Sequence, residues 1–184
     1  FTILGDSVYY EPKKRGLVVK INIDEGEKYK FRNFTWEGHS LYETEILENT
    51  LNLQSGDAFS QSGFDEAVYQ NVQSLYMDRG YLYSNIEPSF TPVGDDSLDV
   101  HFSITENNQV YIRNINIYGN EKTRENVIRR ELDVFPGDLF RRTLLQRSMR
   151  KLHVLNYFDP TSLSPNVVPV DEDEVDLDIS LSEK

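Results

Sequence analysis

The chain repeats itself, and that repeat restricts its fold more than its composition does. Phe31-Arg32-Asn33-Phe34-Thr35-Trp36-Glu37-Gly38 aligns with Ile112-Arg113-Asn114-Ile115-Asn116-Ile117-Tyr118-Gly119, 81 positions later. At the same offset Leu51 falls on Leu132, Gly56-Asp57 on Gly137-Asp138 and Phe59 on Phe140. The stretch from Leu98 to Glu106 then matches Val175 to Glu183 at an offset of 77, so the second copy has lost four residues between those points. Upstream, Leu17, Val19, Ile21, Ile23 and Glu25 lie 81 positions before Leu98, Val100, Phe102, Ile104 and Glu106. Residues 1–28 therefore read as the tail of a third copy.

Period rules assign elements within each copy. Tyr29 and Phe31, then Phe34 and Trp36, alternate with polar residues, as do Val110 and Ile112, then Ile115 and Ile117; this is the period of a half-buried strand. The phase slips at Arg32-Asn33 and again at Arg113-Asn114, and a slip at the same place twice predicts a β-bulge. Gly38 and Gly119-Asn120 end that strand. Ser40 with Glu43 predicts a capping box, and Thr123 predicts the cap of a helix over 124–132. Ile46, Leu47, Leu51 and Val127, Ile128, Leu132 are the expected core residues of these helices. Turns at Gly56-Asp57 and Pro136-Gly137-Asp138 lead to second helices. The first carries Phe64, Ala67, Val68, Val72, Leu75 and Tyr76 at helical spacing, and the shorter second one Leu145, Met149, Leu152 and Leu155. Two strands close the unit, 84–93 and 97–105 across Gly94-Asp95-Asp96, and in the second copy a proline-broken stretch followed by 174–182. The order is β-α-α-β-β.

Charge and composition narrow the functions open to such a chain. Nineteen Lys and Arg stand against 31 Asp and Glu, a net charge of −12, which argues against a nucleic-acid partner because phosphate backbones are held by clustered cations. The absence of cysteine removes disulfides, thiolate metal sites and cysteine nucleophiles. No apolar run approaches the ~20 residues of a membrane-spanning helix. His39, His101 and His153 lie far apart without metal-ligand spacing, and Ser40 beside His39 reads as a helix cap rather than a nucleophile. Asp171-Glu172-Asp173-Glu174 lacks the glycine-bent ligand alternation of a Ca²⁺ loop and reads as a solvated turn. No catalytic residue, metal or cofactor is expected.

The element order, the glycine after strand one, the Gly-Asp turn between helices and the final alternating strand ending in Glu resemble the polypeptide-transport-associated (POTRA) family. The second copy is the more specific match. Ile115-Asn116-Ile117-Tyr118-Gly119-Asn120, Thr123, Val127-Ile128-Arg129-Arg130-Glu131-Leu132, Pro136-Gly137-Asp138, Ser148, Leu152 and Leu155-Asn156-Tyr157-Phe158 resemble the last such domain before the barrel in BamA-type outer-membrane assembly factors. Asn156 stands where the family often has Gly, and the stretch from Pro160 to Pro169 is a long insert. The resemblance implies an α+β fold of tandem domains, each a three-stranded mixed sheet with two helices on one face. The expected divisions are the closing hairpin of an incomplete domain at 1–28 and complete domains at 29–107 and 108–184, with short polar junctions at Glu25-Gly26-Glu27 and Glu106-Asn107-Asn108. It further implies a membrane β-barrel after Lys184, a periplasmic location at the outer membrane, and a non-catalytic scaffold that receives unfolded outer-membrane proteins and docks accessory lipoproteins. A sister transporter, for autotransporter assembly or two-partner secretion, and a purely structural spacer are the alternatives; an enzyme or carbohydrate-binding module is the alternative from another class.

Two candidate sites follow. In the family the last strand is central in space, which leaves the second strand as an edge; here Asn85, Ile86, Glu87, Ser89 and Phe90 are the expected client contacts, made by the backbone. The competing reading is an ordinary edge strand blunted by Pro88. From Gly119 to Phe158 nine basic residues face five acidic ones, against the trend of the chain. Arg129 and Arg130, with Phe135 and Asp138 of the adjacent turn, are the expected docking face for an acidic partner subunit. The alternatives are a solvated face paired with local carboxylates, or a contact with anionic lipid.

Overall fold

The computed structural model describes residues 2–11, 16–24 and 28–184. The junction predicted at Glu25-Gly26-Glu27 lies outside the described residues. Strands β1 (Thr2–Glu11) and β2 (Gly16–Asp24) pair antiparallel as a hairpin. Leu17, Val19, Ile21 and Ile23 of β2 are half or more exposed, whereas their counterparts Leu98, Val100, Phe102 and Ile104 are buried.

The first repeat runs β3 (Lys30–Glu37), α1 (Thr44–Leu51), α2 (Gln61–Asp65), a π-helical stretch Glu66–Val72 that continues into α3 (Gln73–Met77), β4 (Asn85–Val93) and β5 (Ser97–Thr105). The second runs β6 (Tyr111–Tyr118), α4 (Glu125–Arg129), α5 (Arg142–Val154), β7 (Ser164–Pro169) and β8 (Glu174–Ser180). The sheets are ordered β3-β5-β4 and β6-β8-β7, each with one parallel and one antiparallel ladder. The last strand of each unit is therefore central, and the first and second strands are edges. Both expected bulges occur, as register shifts between Phe31 and Asn33 and between Ile112 and Asn114. Across each bulge an arginine reaches the central strand, Arg32 to Asp99 and Arg113 to Asp176. The guanidinium hydrogen bond holds each carboxyl below its ordinary range.

Alternation puts every second residue of the central strands under the helices. In the first unit Val100, Phe102 and Ile104 meet Phe31, Leu47, Leu51, Phe64, Val68, Val72 and Tyr76. Its core is largely aromatic, with Trp36 stacked on Phe102 at 4.1 Å and Phe64 on Phe102 at 5.9 Å between ring centres. In the second unit the core is mostly aliphatic, Val175, Leu177 and Ile179 packing with Ile112, Ile115, Ile128 and Leu152.

The strand-ending glycines are obligatory. Gly38 and Gly119 have φ of +78° and +90°, and a Cβ on either would collide with the carbonyl oxygen of Ile104 or Leu181. Just beyond, the glutamate closing each unit folds back on the loop. Glu106 accepts from the N–H groups of Ser40 (2.7 Å) and Leu41 (2.9 Å), and Glu183 from those of Lys122 (2.8 Å) and Thr123 (2.6 Å). These bonds replace the expected local caps. Ser40 serves Glu106, α1 starts after Glu43 with no side-chain cap, and α4 starts after Arg124 with none from Thr123. The predicted 124–132 helix is shorter than expected, and Ile46, expected inside, is exposed.

The two units are joined by more than the chain. Val110 N–H donates to Gly80 O (2.8 Å), and the side chain of Gln109 donates to Arg79 O (2.9 Å). Arg142, at the first turn of α5, reaches back to Tyr69 O (3.1 Å) and Ser74 Oγ (3.0 Å), and Asp78 Oδ1 accepts from Thr143 N–H (2.7 Å). The upstream domain thus supplies the N-terminal cap that α5 lacks from its own Arg141.

Candidate functional site: the free sheet edges

A strand at the edge of a sheet leaves half its backbone groups unpaired, and which half follows from the ladder on its other side. Lys30 N–H bonds to Asp96 O, so the even-numbered residues of β5 direct their backbone groups to β3 and the odd-numbered ones to β4. With the register Asn85↔Thr105 to Val93↔Ser97, β4 therefore turns the groups of Asn85, Glu87, Ser89 and Thr91 inward. Ile86, Pro88, Phe90 and Pro92 face outward. Of the five predicted client contacts, only Ile86 and Phe90 offer a free N–H. The Phe90 ring also packs on Phe59 (5.6 Å) and Phe64 (5.0 Å).

The second unit repeats the pattern. Val170 N–H to Glu174 O and Tyr111 N–H to Asp173 O fix the alternation, and Pro165, Val167 and Pro169 of β7 face outward. The proline pairs 88 and 92, and 165 and 169, face equivalent central-strand partners: Phe102 and Leu98, then Ile179 and Val175. Each second strand is thus stripped of every other outward donor. Beside β7 a groove of about 430 Å³ is lined by Leu145, Gln146, Met149, Arg150 and Pro165.

The first strands differ between units. At the start of each, the outer edge is covered by the Gly-Asp turn: Phe31 N–H donates to Asp57 O and Gly56 N–H to Phe31 O, with Ile112, Asp138 and Gly137 in the same arrangement. After the bulge the registers Phe34↔Val100 and Ile115↔Leu177 turn Phe34, Trp36, Ile115 and Ile117 outward. On β6 the Arg129 guanidinium donates to Ile115 O at 2.9 Å and pairs with Glu125 at 2.6 Å. Beside β3 the residue at the equivalent position is Glu48 of α1, which cannot donate and makes no ion pair with a described residue. Beside β3 lies a groove of about 580 Å³ lined by Phe34, Thr35, Glu48, Asn49, Leu53 and Gln54, among others. Phe34 is part-exposed where Ile115 is buried.

The predicted docking residues separate into two kinds. Arg129 is committed within the fold, as described. Arg130 is exposed and its contact to Glu131 is long, 3.3 Å. Phe135 is 56 % exposed, and Asp138 accepts from Phe135 N–H at 3.0 Å, holding the turn that presents the ring. Further along, Asp133 binds Arg147 and Lys151, both at 2.6 Å, and their hydrogen bonds drive its carboxyl far below the ordinary range. Five of the nine basic residues in 119–158, Arg129, Arg130, Arg142, Arg147 and Lys151, thereby have a partner within the fold, while Arg150 beside the β7 groove makes no ion pair with a described residue. No cluster of side chains able to hold a metal ion occurs among the described residues. The joint residues Asp78 and Arg142 belong to no local motif, so their pairing across the two units is not legible in the sequence.

This architecture, two tandem mixed sheets with the last strand central and two helices on one face, defines a class that comparison with known proteins names. A family model described as "Surface antigen variable number repeat", POTRA, matches residues 29–107 and 110–184, and the chain belongs to the POTRA family. Within it, the chain carries tandem domains of BamA type. It is 30% identical over 175 residues to the outer membrane protein assembly factor BamA of Nitratidesulfovibrio vulgaris, covering 92% of this chain and 22% of that protein. It is 29% identical over 186 residues to BamA of Neisseria meningitidis serogroup B, covering 100% of this chain and 23% of that protein. The chain thus spans less than a quarter of the length of these relatives. Among solved structures, the Haemophilus influenzae BamA POTRA3-5 fragment superposes with a TM-score of 0.83 at 19% identity, over 99% of this chain and 72% of that one. BamA from Haemophilus ducreyi lacking POTRA domains 1-3 gives 0.67 at 17% identity, over 85% and 29%.

Proposed function

We propose that this chain is the barrel-proximal part of a periplasmic scaffold in an outer-membrane protein assembly machine, followed in the same protein by a membrane β-barrel. In this role it receives unfolded β-barrel precursors by strand addition and docks accessory lipoproteins. The observation that carries the reading is topological: with the last strand central, each unit leaves two edge strands, and their unblocked outward backbone groups, such as those of Ile86 and Phe90, can pair with an extended chain largely irrespective of its sequence. That tolerance suits clients that share β-propensity rather than sequence. The similarity to assembly factors of other bacteria supports the same reading. On β4 reception runs through Ile86 and Phe90, and partner docking uses Arg130 and the Phe135 turn, with Arg129 and Asp138 shaping that face.

The test is site-specific photocrosslinking in the full-length protein within its own cells. A photoreactive side chain at Asn85 or Ser89, whose side chains lie off the helix face, is expected to give adducts with nascent outer-membrane proteins. One at Phe135 or Arg130 is expected to give an adduct with a partner subunit. Absence of both, in cells where the tagged proteins still support growth, overturns the proposal in favour of a spacer.

A further inference from the structure

The second-strand edges carry prolines at alternate outward positions, and the first-strand edge of the second domain carries Arg129. Of the four sheet edges in the two complete units, the outer edge of β3 has neither obstruction. We infer that the outer edge of β3, residues Asn33–Glu37, with the groove between it and α1, is a second strand-addition site, and that its occupant is an extended polypeptide segment carrying a Lys or Arg opposite Glu48. This rests on the reading of the chain as a receiver of extended polypeptides and specifies where and with what chemistry it receives them.

Four features support it. Phe34 and Trp36 each direct an N–H and a C=O away from β5, and none of the four bonds to another element among the described residues. No proline interrupts β3. The groove of about 580 Å³ beside the strand has an apolar floor in Phe34 and Leu53, onto which alternate side chains of an added strand would fall. Its rim carries Glu48, which pairs with no cation among the described residues, whereas Arg32 is already held by Asp99. A cation on the incoming strand is the complement that remains.

The repeat supplies an internal control. Arg129 stands 81 positions after Glu48, and there the guanidinium occupies the carbonyl of Ile115, the counterpart of Phe34. One residue type leaves the edge open and the other closes it. Strand addition at β6 would have to displace a charge-assisted hydrogen bond that is itself braced by Glu125.

The experiment is an amide NMR titration of the ¹⁵N-labelled chain with a nine-residue peptide of alternating valine and threonine and a central lysine. The same peptide with glutamate at the centre is the comparison. The lysine peptide is expected to shift Phe34 and Trp36 and to bind more tightly than the glutamate peptide. Glu48→Arg should weaken it about tenfold or more, by lost attraction and an occupied Phe34 carbonyl. Glu48→Ala should keep binding but lose the preference for lysine. Arg129→Glu should create new lysine-peptide shifts at Ile115 and Ile117. Spectral dispersion of each variant reports that the fold is retained. Shifts confined to Ile86 and Phe90, or lysine-peptide binding unchanged in Glu48→Arg, overturn this site while leaving reception of extended chains standing. Silence at all four edges with every peptide overturns both.

Discussion

The two domains follow one path through space with different interiors and different margins. The first packs aromatic rings and leaves its first strand open beside a groove; the second packs aliphatic side chains and closes the same strand with an arginine. What they share is backbone geometry: the bulge, the strand-ending glycine, the Gly-Asp turn over the edge and the terminal glutamate. The repeat thus preserves the devices that fix the backbone and varies the side chains of both its cores and its margins. Edge availability, in consequence, is set by a few residues and not by the architecture.

If the shared geometry is what holds both units, breaking it should cost the same in each. Gly38→Ala and Gly119→Ala should each destabilise their domain by roughly 3 kcal/mol or more, because a side chain is forced into both a left-handed backbone and a central-strand carbonyl. Urea denaturation checks this, and a mild effect in one domain only would break the equivalence. Next in size is the joint. Arg142→Ala removes the contacts to Tyr69 and Ser74 and should cost about 1–3 kcal/mol. ¹⁵N relaxation should then show the two domains tumbling more independently, and an unchanged correlation time would mean that the main-chain link at Gly80 suffices.

Acid gives a smaller, graded effect with a defined sign. Burial opposes ionisation of Glu106, but the Ser40 hydroxyl and the N–H groups of Leu41 and Ser40 outweigh it and lower its pKa. Glu183 is lowered by Thr123, whose bonds outweigh burial, with help from Lys122. A carboxyl lowered on folding adds stability that is complete above its unfolded pKa of ~4.3 and lost as pH falls through the folded value. Unfolding midpoints should accordingly hold from neutral pH to about 5 and decline below ~4. Glu106→Gln with Glu183→Gln should flatten that decline, and an unchanged slope would sink the assignment. Smallest is Arg129→Lys, which keeps the charge and loses the planar fork. Its stability change should stay within about 1 kcal/mol, while amide exchange near Ile115 rises.

Much of this fold is legible in the residues, because its signals are local. The double phase slip marks both bulges, Gly38 and Gly119 mark the strand ends, and the alternation of 97–105 gives β5 in full. The edge site is only half legible. That the second strand lies at an edge follows from the family resemblance, and Pro88 advertises a blunted one, yet which residues face outward depends on the hydrogen-bond phase of a strand far along the chain. Ser40 misleads for the same reason, since its partner Glu106 is 66 positions away, whereas Glu43 has the spacing of a capping box. Arg129 reads in sequence as a docking cation or as the partner of a local carboxylate, and only the fold places it on a carbonyl as well.

Residue-resolved amide hydrogen exchange on the unliganded chain tests the central claim about edges most directly. The account predicts alternation along each edge: fast exchange at Phe34, Trp36, Ile86 and Phe90, and slow exchange at Thr35, Glu37, Glu87 and Ser89. Protection of Phe34 and Trp36 equal to that of their neighbours would contradict it, since those N–H groups would then already have partners.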